Sequence, residues 1–228
     1  MNIGMLIFPN VTQLDFTAPH EVFARCKNFK ISVIAKSLAP VIASDGLSLN
    51  PNTTLDSSPD LDLLFVPGGP RIGELMADLE ILNFLRQQED KARYITSVCT
   101  GALLLGAAGL LQGYRAATHW LSMDLLTIFG ATAVPERIVI DRNRITAGGV
   151  TAGIDFALQV ISEISGEEEA KKIQLLIEYN PQPPFQSGHP SVADPKLVEK
   201  VYKERKSLQE QLKAQAMHAA QLFCKLSS

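Results

Sequence analysis

The feature that most constrains this chain is a repeated switch of hydrophobic period. Short apolar runs rich in β-branched and aromatic residues lie at Asn2–Phe8, Lys30–Lys36, Asp62–Val66, Tyr94–Val98 and Arg144–Ala147. Longer helical stretches separate them, at Leu14–Cys26, Glu74–Asp90, Thr100–Leu111, Trp120–Phe129 and Thr151–Ile164. Strands that are apolar on both faces need a cover on both faces, so the alternation predicts a mostly parallel sheet with helices on either side. Asp45-Gly46, set between Val41-Ile42-Ala43 and Leu47-Ser48-Leu49, predicts a small β-hairpin within Ala39–Thr54, attached to that sheet. Ile138-Val139-Ile140 and Arg144-Ile145-Thr146 form a second candidate hairpin about Asp141-Arg142-Asn143. Helix resumes over Glu167–Glu178, stops at Asn180-Pro181-Gln182-Pro183-Pro184, and returns as a long closing helix over Pro195–Cys224.

The 228 residues contain no long Gly/Ser/Pro linker, so one domain over residues 1–228 is expected. Apolar residues of the closing helix, about 194–225, form a stripe that either packs on that domain or builds a dimer seam. With 21 basic and 24 acidic residues the net charge is −3, and like charges gather only at Glu167-Glu168-Glu169, which argues against nucleic acid as a partner. The run Ile3–Phe8 is short and meets Pro9-Asn10 at once, so it reads as neither signal peptide nor membrane span, and a cytoplasmic location is expected. Three scattered cysteines without a CxxC pattern predict free thiols rather than a disulfide framework or zinc site. No metal or organic cofactor is expected.

Cys99 stands where the run Tyr94–Val98 passes into the small-residue helix that begins at Thr100-Gly101-Ala102. On a strand-to-helix turn, the first helical N–H groups and the positive end of the helix dipole point at the sulfur, which predicts stabilised thiolate. In an open parallel sheet ligands sit beyond the carboxyl ends of the strands, where Cys99 and the turn Val66-Pro67-Gly68-Gly69-Pro70 both fall. If those strands are neighbours, the N–H groups of Gly69 and Thr100 converge beside the sulfur as an anion hole; the alternative is an ordinary tight turn. Asp15, in Leu14-Asp15-Phe16-Thr17-Ala18-Pro19 after the first strand, either caps the first helix or carries the proton that a cysteine nucleophile needs. Spacing leaves both roles open. His119 reads first as a packing residue beside Trp120 and second as a pocket residue, while His20 suits a surface or interface. Cys26 and Cys224 read as bystanders, and Asp155 as a first-turn acid of its helix.

Asp15, Val66-Pro67-Gly68-Gly69, Val98-Cys99-Thr100-Gly101-Ala102 and Ala117-Thr118-His119-Trp120 together resemble the DJ-1/PfpI superfamily, over almost the whole chain. The run Thr146–Asp155 fits its branch of glutamine-amidotransferase-like domains, and Ile177–Phe185 is similar to the isonitrile hydratases within it. The resemblance implies a flavodoxin-like three-layer sandwich, a homodimer and a small-molecule substrate, an isonitrile hydrated to an N-substituted formamide. It implies Cys99 as nucleophile, Asp15 arriving protonated as acid/base, Thr100 as a third catalytic group, and Gly68, Gly69, His119 and Asn180 around the substrate. Thr100 stands where peptidase relatives carry histidine, which removes a Cys-His pair and argues against proteolysis. Asn180 stands where related hydratases commonly have aspartate, which keeps the shape but removes a proton acceptor. The alternative is a cysteine-based stress or sensing protein without hydratase activity. The sensing half of a transcription regulator is disfavoured because residues 195–228 are too few for two helix-turn-helix units.

Overall fold

A computed structural model describes residues 1–226, with side chains through Phe223. The elements run β1 (Asn2–Leu6), α1 (Gln13–Ala24), β2 (Lys30–Ala35), β3 (Val41–Ile42), β4 (Ser48–Leu49), β5 (Thr53–Thr54), β6 (Leu63–Val66), α2 (Ile72–Leu75), α3 (Leu79–Glu89), β7 (Tyr94–Val98) and α4 (Gly101–Ala107). There follow β8 (Arg115–Ala116), a 3-10 helix over Trp120–Phe129, β9 (Thr132–Ala133), β10 (Ile138–Asp141), β11 (Arg144–Ala147), α5 (Ala152–Ser165), α6 (Glu167–Leu176) and α7 (Pro195–Leu226). Seven strands form the central sheet in the order β10-β11-β7-β6-β1-β2-β5, and all pairs are parallel except β10 with β11.

Helices on both faces complete a three-layer sandwich. On one face Phe23, Phe65 and Phe156 meet edge-on or tilted beneath α1 and α5; on the other, Leu103, Leu104, Leu126 and Leu212 join the cluster that covers Leu64 and Ile95. The chain runs from β1 to β2 in one direction and from β6 through β7 to β11 in the other. The order therefore reverses between β1 and β6, which opens a crevice at their carboxyl ends.

Several expected elements differ in detail. The helix expected over Glu74–Asp90 is two helices, because the Asp78 carboxylate accepts the Ile81 N–H (3.3 Å) and starts a new helix there. The hairpin in Ala39–Thr54 pairs β3 with β4 as a separate two-stranded ribbon, and only β5 joins the main sheet, parallel to β2. Trp120–Phe129 winds as a 3-10 helix, and a further short parallel pair, β8 with β9, flanks it. The long closing helix expected over Pro195–Cys224 is continuous over Pro195–Leu226. It lies against α2, α4 and the 3-10 helix, with Leu212, Ala216 and Ala219 buried. No helix among the described residues is long and apolar enough to cross a membrane.

Candidate active site

Three adjacent strands deliver the site. Asp15 comes from the first turn of α1 after β1, Gly68 from the turn after β6, and Cys99 from the end of β7, with Val66 and Ser97 in register across β6 and β7. Cys99 has φ +54°, the left-handed region that a non-glycine residue adopts only when its surroundings impose it. The surroundings do so through backbone and hydroxyl contacts. The Cys99 N–H donates to the carbonyls of Ala147 (3.1 Å) and Gly148 (2.8 Å), and the Thr118 hydroxyl donates to the Cys99 carbonyl (2.7 Å). Gly101 then lets the first turn of α4 approach β6, since a Cβ there would stand 2.2 Å from the Val66 carbonyl oxygen.

Asp15 is wholly buried and does not cap α1. Its Oδ2 accepts the Gly68 N–H (3.1 Å), while Oδ1 has no partner of hydrogen-bond geometry among the described residues. Burial pushes the carboxyl up to about 7, with the Cys99 thiol and the Gly68 N–H pulling in the opposite sense. Gly68 is where this approach needs glycine, because a Cβ would lie 2.6 Å from Thr100 N and 2.9 Å from Asp15 Oδ2.

The expected thiolate is corrected. Burial, and after it the Asp15 charge, raise the Cys99 thiol far above its ordinary value and outweigh the Thr100 and Val150 N–H groups that favour the anion. At rest the proton sits on sulfur, and when the pair holds a single proton Asp15 is the carboxylate. With Asp15 pushed up to about 7 by burial, as its expected role as an acid requires, both its protonated form and a carboxylate poised to accept the thiol proton are populated near neutral pH.

The anion hole is likewise redistributed. Gly69 N–H donates to Thr100 Oγ1 (3.1 Å), and Gly68 N–H to Asp15, so neither glycine keeps a free donor for substrate. The N–H groups directed at the sulfur belong to Thr100 and Val150. Val150 and Thr118 were missed because one acts through backbone and the other supports the elbow from behind. The Gly148-Gly149 pair before Val150 was the available signal.

A cavity of about 630 Å³ opens on Cys99 and Thr100. Gly69, His119 and Trp120 line it on one side, and α7 roofs it with Val201, Arg205, Leu208 and Leu212. His119 caps the 3-10 helix, its Nδ1 accepting the Leu121 N–H (3.3 Å); burial, then the Arg205 charge, lower its pKa, so it faces the cavity uncharged. Asn180 does not join this cavity within one chain. Glu178, with φ +53°, turns the backbone away, and Asn180 begins an exposed, proline-rich stretch.

Of the other expectations, His20 packs half-buried on Phe16 and lies outside the cavity. Asp155 holds the Tyr179 hydroxyl (2.9 Å) and Arg137, joining α5 to the segment after α6. Cys26 is a buried free thiol beside Ser165, and the Cys224 side chain lies outside the described residues. No His, Cys, Asp and Glu cluster among the described residues has metal-binding geometry.

Comparison with known proteins places these features in context. Residues 1–163 match the DJ-1/PfpI family. Isonitrile hydratase from Pseudomonas putida is 50% identical over 203 residues, which cover 89% of this chain and 89% of that protein. The transcriptional regulator GbdR of Pseudomonas aeruginosa is 31% identical over 78% of this chain, a match that spans 50% of the regulator. The crystal structure of a ThiJ/PfpI family protein from Pseudomonas syringae superposes with a TM-score of 0.92 at 40% identity, covering 94% of this chain and 90% of that one. Drosophila melanogaster DJ-1beta, at 22% identity and a TM-score of 0.71, shares the fold.

Proposed function

The chain belongs to the DJ-1/PfpI family, and from that membership we propose that it is an isonitrile hydratase in which Cys99 attacks and Asp15 moves the proton. The likeness to the Pseudomonas putida hydratase over nearly nine-tenths of both chains supports the reaction. The observation that carries the chemistry is the buried pair of a protonated thiol and a carboxyl whose Oδ1 has no hydrogen-bond partner among the described residues.

An isonitrile carbon bonds to a nucleophile and takes up a proton at the same atom. As the Cys99 sulfur bonds to that carbon, its proton passes to the Asp15 carboxylate, and Asp15 returns it to the carbon. The product of this half is a thioimidate, R–N=CH–S–Cys99. Asp15, again a carboxylate, then takes a proton from water as the oxygen adds to the same carbon. Asp15 hands that proton to the nitrogen, giving R–NH–CH(OH)–S–Cys99. Collapse then forms the C=O bond and breaks the C–S bond as the hydroxyl proton passes to sulfur, and the N-substituted formamide R–NH–CHO leaves. Each turnover consumes one isonitrile and one water, and needs no redox change.

Thr100 supports both halves, its N–H toward sulfur and its hydroxyl holding the Gly69 turn. Gly68 contributes by fixing Asp15 rather than by touching substrate. His119, uncharged, walls the cavity. The 50% identity to the Pseudomonas putida hydratase over 89% of both chains favours the hydratase reading over the sensing alternative. Exposed Leu175, Leu176 and Phe185 support a homodimer, for which sedimentation at increasing concentration is the test.

Incubation with an alkyl isonitrile is expected to give the formamide, with loss to background in Cys99→Ala. Undiminished turnover in Cys99→Ala overturns the nucleophile, and inertness toward a panel of alkyl and aryl isonitriles overturns the reaction.

A further inference from the structure

The face that α7 turns to the cavity carries an aliphatic stripe, Val201, Leu208 and Leu212, among Arg205, Gln209, Gln211 and Gln215, so three of its seven lining positions are aliphatic and one is charged. Arg205 interrupts that stripe. On the same helix Lys200, Lys203 and Lys206 each meet a glutamate one turn away, Glu204, Glu199 and Glu210. Among the described residues Arg205 has no ion-pair partner, and its charge is felt by His119 across the cavity wall.

The other charges on this wall cancel. Glu74 is held by Arg71 through a hydrogen bond of 2.7 Å and a second contact of 2.7 Å, and His119 is neutral, so Arg205 is the unpaired charge among the described residues that line the cavity, with Asp15 behind Cys99 outside that lining. Ser122, another residue of the wall, is 1% exposed, and its hydroxyl has no hydrogen-bond partner among the described residues. The space of about 630 Å³ is of the size that encloses a drug-sized ligand, far more than an isonitrile with a small alkyl group fills.

We propose that Arg205 is a specificity-determining residue that selects isonitriles bearing a carboxylate, with the isonitrile carbon at Cys99 and the carboxylate beneath α7. The assignment rests on the hydratase reading for the reaction and on the cavity's own charge for the substituent. A guanidinium on the cavity wall binds a carboxylate through charge-assisted hydrogen bonds, and Val201, Leu208 and Leu212 on the same wall accept the connecting chain.

The test compares an ω-carboxyalkyl isonitrile with its methyl ester. Wild-type protein is expected to favour the carboxylate in kcat/KM by roughly 10–100-fold, the worth of charged hydrogen bonds. In Arg205→Gln that ratio is expected to fall to within about threefold of unity through a raised KM for the carboxylate, and Arg205→Glu is expected to invert it. A ratio near unity in wild type, or one that survives in Arg205→Gln, overturns the proposal. A calorimetric arm separates the subsite from the reaction: the N-formyl ω-amino acid, which is the corresponding product, is titrated into Cys99→Ala and into Cys99→Ala/Arg205→Gln. If neither isonitrile is turned over, tighter binding to the first variant sustains the carboxylate subsite while the hydratase reading falls; equal binding overturns the subsite as well.

Discussion

The two ends of the strands β7 and β11 bury a charge-bearing side chain in opposite ways. At the amino end Arg144 is 2% exposed and every nitrogen has work: Nε donates to the Leu110 carbonyl (2.8 Å), one terminal nitrogen to Asn143 Oδ1 (2.9 Å) and the other to Glu89 Oε1 (2.7 Å), with the Tyr114 ring beneath. At the carboxyl end Asp15 is fully buried, accepts one backbone hydrogen bond and leaves Oδ1 unmatched beside a strained cysteine. A buried ion with all its partners fixes a structure and resists change. One left short of partners is held in readiness, its proton affinity set by what it lacks.

The comparison breaks most readily at Asp15. Asp15→Asn is expected to lower kcat/KM by about 10²–10⁴-fold, the usual worth of a positioned acid/base. It is also expected to raise stability, because an acid whose folded pKa is raised loses stability as pH climbs from the unfolded value of 3.8 to about 7, and the full loss persists above. That interval amounts to on the order of 4 kcal/mol, so in thermal unfolding at pH 8 the Asp15→Asn variant should melt several degrees above wild type, and at pH 3 no higher. A variant that keeps its activity and is no more stable at pH 8 would make Asp15 an ordinary structural acid.

Arg144→Met is the reciprocal change. Stability should fall by about 2–4 kcal/mol in denaturant titration, since the Leu110 carbonyl and Asn143 lose their donor. Turnover by the folded fraction should stay within about twofold of wild type.

The pH profile sharpens the same contrast. Below about 7 the Cys99–Asp15 pair holds two protons and lacks its acceptor, so kcat/KM is expected to fall tenfold per pH unit on the acid side. Above that value it should stay level well into the alkaline range, because the thiol keeps its proton. A thiolate nucleophile independent of Asp15 would instead give a further rise near the ordinary thiol range. The smallest effect belongs to Glu89→Gln, which removes one charge from the Arg144 network at a side chain 46% exposed; a cost under about 1 kcal/mol is expected.

Much of this was legible because strands buried on two faces advertise themselves. Tyr94–Val98 and Arg144–Ala147 match the observed strands end to end, and the cysteine between strand and small-residue helix is where the chain turns. Asp15 was visible as an acid among apolar neighbours, yet its role depended on Gly68 arriving from a distant strand. The ionisation of Cys99 could not be read locally: the helix N-terminus favours thiolate, but burial and a facing carboxyl depend on the whole fold. The break at Asp78 carried a capping signal that the apolar period of Glu74–Asp90 concealed. Which turn of α7 would meet the cavity was also hidden, since its stripe serves core contact and cavity roof alike.

The roof of the site has a consequence for the order in which the protein is made. Asp15 leaves the ribosome before Cys99, and α7 leaves it after both. The thiol therefore emerges after the carboxyl that will keep it protonated, and well before the helix that encloses substrate. The Cys99–Asp15 pair is thus drawn wholly from residues that precede α7, whereas the cavity in front of it is complete only with α7 across it.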